Sequence, residues 1–160
     1  MCSQNPDGLR SFHEGKQQGL GHSRGGFTTK IHLRVNAAGL PMRSDISPGQ
    51  TSDYLGFDLV MDDNLPEPSV LLADHGYGSD KVRENMEARN VVPFIPMRKS
   101  RKLRIAVDRT LYRLRNLAER CFNKLKNARR VATRDDKTAE SFLSFIDITS
   151  IRLWLRHLST

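Results

Sequence analysis

The chain has 160 residues, of which 38% are hydrophobic and 28% charged, with 26 Lys and Arg against 18 Asp and Glu. This length suits one domain. The chain has two cysteines, no apolar run of the roughly 18 residues that a membrane span needs, and no hydrophobic signal core at its start. These features exclude a disulfide-rich secreted protein and a membrane protein, and they predict a cytoplasmic location.

The first elements predicted along the chain are a flexible lead-in and a hairpin. Residues 1–26 hold six of the eleven glycines and show no hydrophobic period, which predicts the lead-in. From Phe27 to Asn36 apolar and polar residues alternate strictly, as in a half-buried strand. Turn residues up to Pro41 and a second alternating run complete the hairpin, which ends at 47–49.

The rest of the chain alternates helical patterns with short apolar strands. Helices are predicted at 53–65, 80–89, 109–129 and 138–158, with a basic loop at 98–104. Strands covered on both faces are predicted at 70–73 and 91–95, which makes a βαβ unit with the helix between them. The order predicts an α/β domain over 27–160, built on one mixed sheet.

The positive charge is concentrated in one segment. Fourteen basic residues lie between Met97 and Arg134 against two acids, Asp108 and Glu119, so this segment carries a net charge of +12 and the remainder −4. Lys and Arg at phosphates release condensed counterions, so nucleic acid is the expected partner. The alternative is a solvated basic helix.

Two acids are candidate site residues. Asp74 directly follows the strand at 70–73, where α/β folds place ligands; the alternative is a cap on the next turn. Helical spacing places Glu119 in a stripe with Tyr112, Arg115 and Lys126, beside the apolar stripe that contains Cys121. The alternative here is an Arg115–Glu119 ion pair on a solvated face, worth about 0.3–0.5 kcal/mol.

A strand-end Asp and a helical Glu among cations predict a divalent-metal site. Carboxylate oxygens suit Mg²⁺, or Mn²⁺, which shares phosphate oxygens with its substrate. Two such ions can stabilise the attacking and leaving oxygens of phosphodiester cleavage. Arg115 and Lys126 would then hold phosphates nearby.

These residues resemble the signatures of bacterial insertion-sequence DDE transposases, and most of all those of the family named after insertion sequence five. The similarity runs from about Gly21 to the end of the chain. Its motifs are Asp74-His-Gly-Tyr77, the Tyr112, Arg115, Glu119 and Lys126 spacing, and blocks at 21–32, 47–50 and 132–137.

The resemblance implies an RNase H-like mixed sheet with flanking helices, two divalent metal ions, and cleavage and strand transfer at double-stranded terminal inverted repeats. Asp74 and Glu119 would be the second and third catalytic, metal-binding carboxylates. The expected DNA-binding residues are Tyr112, Arg115 and Lys126 of the motif, together with Arg120, Arg129, Arg130, Arg24 and Lys30.

The chain departs from the family pattern in several positions. Residues 1–20 contain Asp7 and Glu14 but no apolar strand to carry the first catalytic Asp, and in the family that strand is central. His22 replaces the usual Arg, and Gly78 and Asp135 replace Asp and Tyr. We therefore expect a nucleoid-associated transposase fragment, from a downstream frame or truncated copy, that is inactive unless an upstream product completes it.

A second copy of the chain is a further expected partner. The alternative function is a non-catalytic basic DNA-binding protein, or a transposition regulator that dimerises through its last helix. In that case Asp74 and Glu119 would serve only as a cap and an ion pair.

Overall fold

The computed structural model describes residues 21–23, 26–61, 65–96 and 109–159. The strands are β1 (Gly21–Ser23), β2 (Gly26–Val35), β3 (Pro41–Pro48), β4 (Val70–Leu72) and β5 (Val92–Phe94). The helices are α1 (Phe57–Val60), α2 (Asp80–Ala88), α3 (Arg109–Arg113), α4 (Asn116–Lys126), α5 (Arg129–Ala132) and α6 (Ala139–Leu158). Two 3₁₀ turns lie at Asp53–Gly56 and His75–Tyr77. None of the helices in these ranges is long and apolar enough to cross a membrane.

Several predictions concern residues that the structure does not describe. Residues 1–20 of the lead-in, including Asp7 and Glu14, lie outside the described residues, as do Arg24 and the basic loop at 98–104. The end of the predicted lead-in is different, because Gly21–Ser23 forms β1 against the start of β2. Gly26, at the start of β2, has φ at 102°, a backbone conformation that glycine adopts without strain.

The predicted hairpin is confirmed as the antiparallel pair β2–β3. In its turn the Asn36 side chain accepts hydrogen bonds from the amides of Ala38 and Leu40, at 3.0 and 2.9 Å. Gly39 adopts φ of 72°. A side chain that bonds to its own backbone and a glycine in the left-handed region are what a tight turn requires.

The hairpin is buried on both faces, and the prediction of a half-buried strand is wrong. Its apolar face, with Ile31 and Leu33, packs against a core that includes Cys121, Leu125 and Ile146. On the opposite face His32 is only 2% exposed. The 3₁₀ turn at Asp53–Gly56 covers this face, since a Cβ added at Gly56 would lie 2.1 Å from the His32 ring.

The βαβ unit is confirmed, with β4 parallel to β5 and Ser79 capping the connecting helix α2 through the Val82 amide at 3.2 Å. Its strands, however, are not covered on both faces as predicted. Val70 and Val92 are 40% and 52% exposed. The next side chain, Leu71, packs against the core beneath α2, so each strand has one buried and one open face.

The described strands form two sheets instead of the single mixed sheet that was predicted. One has the order β1–β2–β3 and the other is β4–β5. Residues 29–35 of β2 pair with β3 alone among the described residues. The observed architecture is therefore mixed α/β with two small sheets and surrounding helices.

The helices follow the predicted pattern with two differences. Where helix 53–65 was predicted, the structure has a 3₁₀ turn followed by one turn of α1 that ends at Val60, and residues 62–64 lie outside the described residues. The predicted helix 109–129 is divided at two places: i→i+3 hydrogen bonds around Leu114 separate α3 from α4, and the extended backbone of Ala128 separates α4 from α5. Leu114 is consequently 50% exposed, although its spacing placed it on the apolar stripe.

The last helix agrees closely with its prediction. Helix α6 begins after Thr138, whose side chain accepts a hydrogen bond from the Ser141 amide at 3.2 Å.

Cys121 of α4 is fully buried against α6, as predicted for a core residue. Burial also raises the pKa of its thiol. A protonated, enclosed thiol is a packing group and not a nucleophile.

Candidate functional site

Asp74 and Glu119 meet at the guanidinium group of Arg115. Asp74 follows β4, Glu119 lies in the first turn of α4, and Arg115 lies at the junction of α3 and α4. Arg115 Nη1 is 3.1 Å from Asp74 Oδ1, and Arg115 Nη2 is 2.7 Å from Glu119 Oε1. The two acids that the sequence singles out, distant along the chain, thus lie at one place.

The two structural alternatives for these acids were a cap by Asp74 and an ion pair between Arg115 and Glu119, and only the ion pair is present. Asp74 occupies the N-cap position of the 3₁₀ turn, but its side chain makes no capping hydrogen bond. The Arg115–Glu119 pair at i, i+4 does form. Because the Asp74 and Glu119 side chains are 53% and 51% exposed, solvent weakens both pairs, and each contributes about 0.2–1 kcal/mol.

Tyr112 completes the group that we call the carboxylate site, defined as Asp74, Tyr112, Arg115 and Glu119. The Arg115 guanidinium carbon lies 5.1 Å from the centre of the Tyr112 ring, within cation–π range. Burial raises the pKa of Tyr112, opposed by Arg115 and assisted by both carboxylates. Tyr112 is therefore within electrostatic reach of both acids.

The turn that follows Asp74 is anchored by a buried polar chain. His32 Nδ1 lies 2.9 Å from the Tyr77 hydroxyl, and His32 Nε2 lies 2.7 Å from Ser47 Oγ. Burial lowers the pKa of His32. Burial, together with the charges of Asp53 and Asp74, raises the pKa of Tyr77 to about 12. A neutral imidazole between two hydroxyls can donate through one nitrogen and accept through the other, so every member of the chain is satisfied.

A second ion pair supports the same turn from the side. Asp53 Oδ2 lies so close to Gly76 that a Cβ there would be 2.4 Å from it. Lys30 Nζ is 2.7 Å from Asp53 Oδ1 and 2.6 Å from the Thr51 carbonyl oxygen. Lys30, predicted to bind DNA, is thus engaged with the protein itself and 37% exposed at its side chain.

The other predicted DNA contacts in the described residues are exposed cations of α4 and α5: Arg120, Lys126, Arg129 and Arg130. Lys126 lies seven residues after Glu119, which places both on the same face of α4. Arg130 is held over the Phe145 ring at 4.4 Å and lies 3.9 Å from Asp136.

Two carboxylates can provide part of the ligand shell of a magnesium ion, but they do not enclose the ion completely. Across the described ranges, no group of three or more His, Cys, Asp or Glu side chains could hold a metal ion. Mg²⁺ usually binds through one or two carboxylates and completes its shell with water and phosphate oxygens. Asp74 and Glu119 fit that part of a site, and the single positive charge of Arg115 offsets half of their charge in the present arrangement.

Sequence reasoning missed the residues that support the carboxylate site. His32 falls on the polar parity of β2, which predicts exposure, and the block at 21–32 that it shares with Lys30 did not indicate a supporting role for it. Asp53 lies in a segment predicted to be helical. Only the Asp74-His-Gly-Tyr77 motif indicated that Tyr77 belongs near the site.

The buried His32 makes folding stability dependent on pH. Because its pKa is lowered from the ordinary 6.5 in the folded chain, the unfolded chain binds the proton more readily. The free energy of unfolding should therefore fall as the pH drops below 6.5, with a slope of up to about 1.4 kcal/mol per pH unit. Urea unfolding between pH 7.5 and pH 5, taken as rough limits around the ordinary histidine pKa, measures this slope.

His32→Gln should remove that slope and lower the stability at pH 7.5 by about 1–3 kcal/mol, because buried hydroxyls lose their partner. The matched control is His75→Gln, since the His75 side chain is 70% exposed, and it should keep the slope. A slope that persists in His32→Gln would assign it to another group.

Comparisons with known proteins agree on one family. The family model described as the transposase DDE domain matches residues 6–149. A candidate transposase for insertion sequence element IS6501 from Brucella ovis is 34% identical over 133 residues, which is 81% of this chain and 99% of that relative. No solved structure matches the chain.

Proposed function

Because the chain belongs to the family of transposases with a DDE domain, we propose that it supplies the second and third carboxylates of the catalytic site, Asp74 and Glu119, and binds the ends of its element beside them. The observation that carries this proposal is the meeting of the two acids at Arg115. The family uses divalent metal ions, and oxygen ligands of this kind suit Mg²⁺ or Mn²⁺.

The roles of the individual side chains follow from their contacts. Asp74 and Glu119 would hold the metal, which when bound stabilises charge on the attacking and leaving oxygens of the phosphodiester. Arg115 screens the two carboxylates from each other, and its planar fork also suits phosphate oxygens. Tyr112 and Arg115 stack, so Tyr112 keeps the guanidinium oriented toward the acids.

The division of the described strands into two sheets supports the proposal of an RNase H-like domain over 27–160 whose first strand is not among the described residues. In that fold one central strand would pair with β2 and β4 and would carry the first Asp. Among the described residues, 29–35 of β2 pair with β3 only and β4 pairs with β5 only. We propose that an upstream-frame product supplies the strand, and that the two-metal cleavage and strand-transfer chemistry needs it.

DNA binding is proposed to centre on the exposed cations of α4 and α5. Lys126 continues the face of Glu119, so a phosphate backbone bound there would pass the carboxylate site. Such binding releases counterions and weakens steeply with salt. In the cell this would make the chain a nucleoid-associated cytoplasmic protein.

Lys126→Ala tests this surface. Fluorescence anisotropy on a labelled duplex, measured over a series of salt concentrations, should show weaker binding to all sequences and a salt slope reduced by about one. Lys81→Ala is the matched control, because Lys81 is an exposed lysine of α2 outside the basic segment, and its slope should equal that of the wild type. An unchanged slope in Lys126→Ala would remove Lys126 from the phosphate contacts.

Plasmid nicking by the same preparation tests the proposal that the first catalytic Asp must come from an upstream product. The chain alone, with Mg²⁺, should bind supercoiled DNA but nick it very little, because it holds two of the three carboxylates. Robust nicking by this polypeptide would contradict the fragment proposal. The non-catalytic alternative shares the DNA binding, and it differs by showing no response to metal at all.

A further inference from the structure

Helix α6 carries two apolar faces, and only one of them packs into a core formed by the described residues. Phe142 and Ile146, which are 2% and 0% exposed, pack against the hairpin and α4. A second set is 58–75% exposed: Ile148, Ile151, Leu155 and Leu158. At 100° per residue these four lie about 120–200° around the helix from Ile146.

A helix that is apolar all round is normally buried all round. Large apolar side chains that are contiguous and exposed mark an interaction surface, whereas single ones do not. Within the part of the chain that the structure describes, ten large hydrophobic side chains are exposed, and four of them share this one side of α6. The outer face of α6 therefore has the character of an interaction surface.

The spacing of the row identifies the kind of partner. The four residues are separated by three, four and three positions, which is the a/d repeat of a two-stranded coiled coil. Asp147 directly precedes the first of them, and Arg152 directly follows the second. These are the flanking g and e positions, whose charges select partner and orientation in coiled coils.

We propose that the chain forms a parallel homodimer through the outer face of α6, with Asp147 of each copy facing Arg152 of the other. The row packs on its own copy, and each opposite-charge pair occurs twice, as a two-fold interface requires. An antiparallel pair would not bring these opposite charges together, so the charge pattern favours the parallel arrangement.

The face is held in place by contacts with the hairpin. Trp154 Nε1 donates to the Pro41 carbonyl oxygen at 2.7 Å, which fixes the rotation of the exposed half of α6. Asp147 accepts from Ser44 Oγ at 2.6 Å and retains further lone pairs for a second donor. Pre-organisation of this kind lowers the entropic cost of association.

The area of the outer face of α6 determines the expected affinity of the dimer. Four aliphatic side chains per copy cover less than the roughly 800 Å² per partner of a standard interface. We therefore expect a reversible dimer with a Kd on the order of 1–100 µM. The inference does not depend on metal or DNA binding, and it holds whether the protein is a transposase component or a regulator.

Sedimentation velocity on the full chain, from roughly tenfold below to tenfold above that Kd range, should show a monomer–dimer equilibrium. Ile151→Lys should leave the chain monomeric throughout, because it places two like charges in the seam. Val92→Lys is the matched control, as Val92 is 52% exposed on β5, and it should dimerise like the wild type. A wild type that stays monomeric, or an Ile151→Lys variant that still dimerises, would overturn the proposal.

Charge reversal identifies a second copy as the partner and fixes the orientation. Asp147→Arg and Arg152→Asp should each weaken self-association about tenfold, because each brings like charges together. An equimolar mixture of the two variants should associate as a heterodimer, since the arginines of one then face the carboxylates of the other. Failure of the mixture to associate would overturn the parallel arrangement, and a misfolded variant could not produce the recovery.

Discussion

Asp74→Asn is expected to abolish saturable Mn²⁺ binding by the chain. Asparagine has nearly the same shape, so the turn at His75–Tyr77 and its anchor on His32 should persist. The substitution removes the negative charge from one of two carboxylates that meet at Arg115. A site with a single carboxylate and no phosphate cannot displace the water of a divalent ion effectively.

Isothermal titration calorimetry with Mn²⁺ measures this effect. The wild type should bind only moderately, because the ion must compete with the Arg115 guanidinium for the same oxygens. Asp58→Asn is the matched control, since Asp58 is an exposed acid of α1 and is not a member of the carboxylate site, and its titration should match the wild type. If Asp74→Asn still bound Mn²⁺ like the wild type, the two acids would be an ion-pair network without a metal function.

The elements that the sequence predicted correctly are those with a strong local pattern. Strict alternation identified β2 and β3, and helical spacing identified α2 and α6. These patterns depend on neighbours within one element. Whether strands join one sheet or two depends on which other strands are present, so the division into two sheets was not readable from any of them.

Burial by a later segment also escapes local patterns. His32 and Lys30 share one parity of β2, yet His32 is enclosed by the turn at Asp53–Gly56 while Lys30 remains partly exposed. The break before α4 likewise results from i→i+3 hydrogen bonds in the backbone, and no residue type in the segment predicts it. In the site, charge and spacing identified Asp74 and Glu119, and the supporting shell came from the tertiary fold.

Leu125→Ala is expected to lower the free energy of unfolding by about 2–5 kcal/mol, a large share of the roughly 5–15 kcal/mol that stabilises a typical domain. Leu125 is 1% exposed and packs with Cys121 and Ile146 beneath α4. The truncation leaves a cavity that a close-packed core fills only in part. Because this core holds α4 on the hairpin, it also sets the position of Glu119 relative to Asp74.

Leu114→Ala makes the same chemical change at a position that is 50% exposed, and it should cost less than about 0.5 kcal/mol. Urea unfolding of both variants measures the difference directly. Mn²⁺ titration of folded Leu125→Ala should also show weaker binding, since a loosened α4 no longer holds its carboxylate beside the strand end. Equal costs for the two truncations would mean that α4 is not docked through Leu125, and the position of Glu119 would then need another explanation.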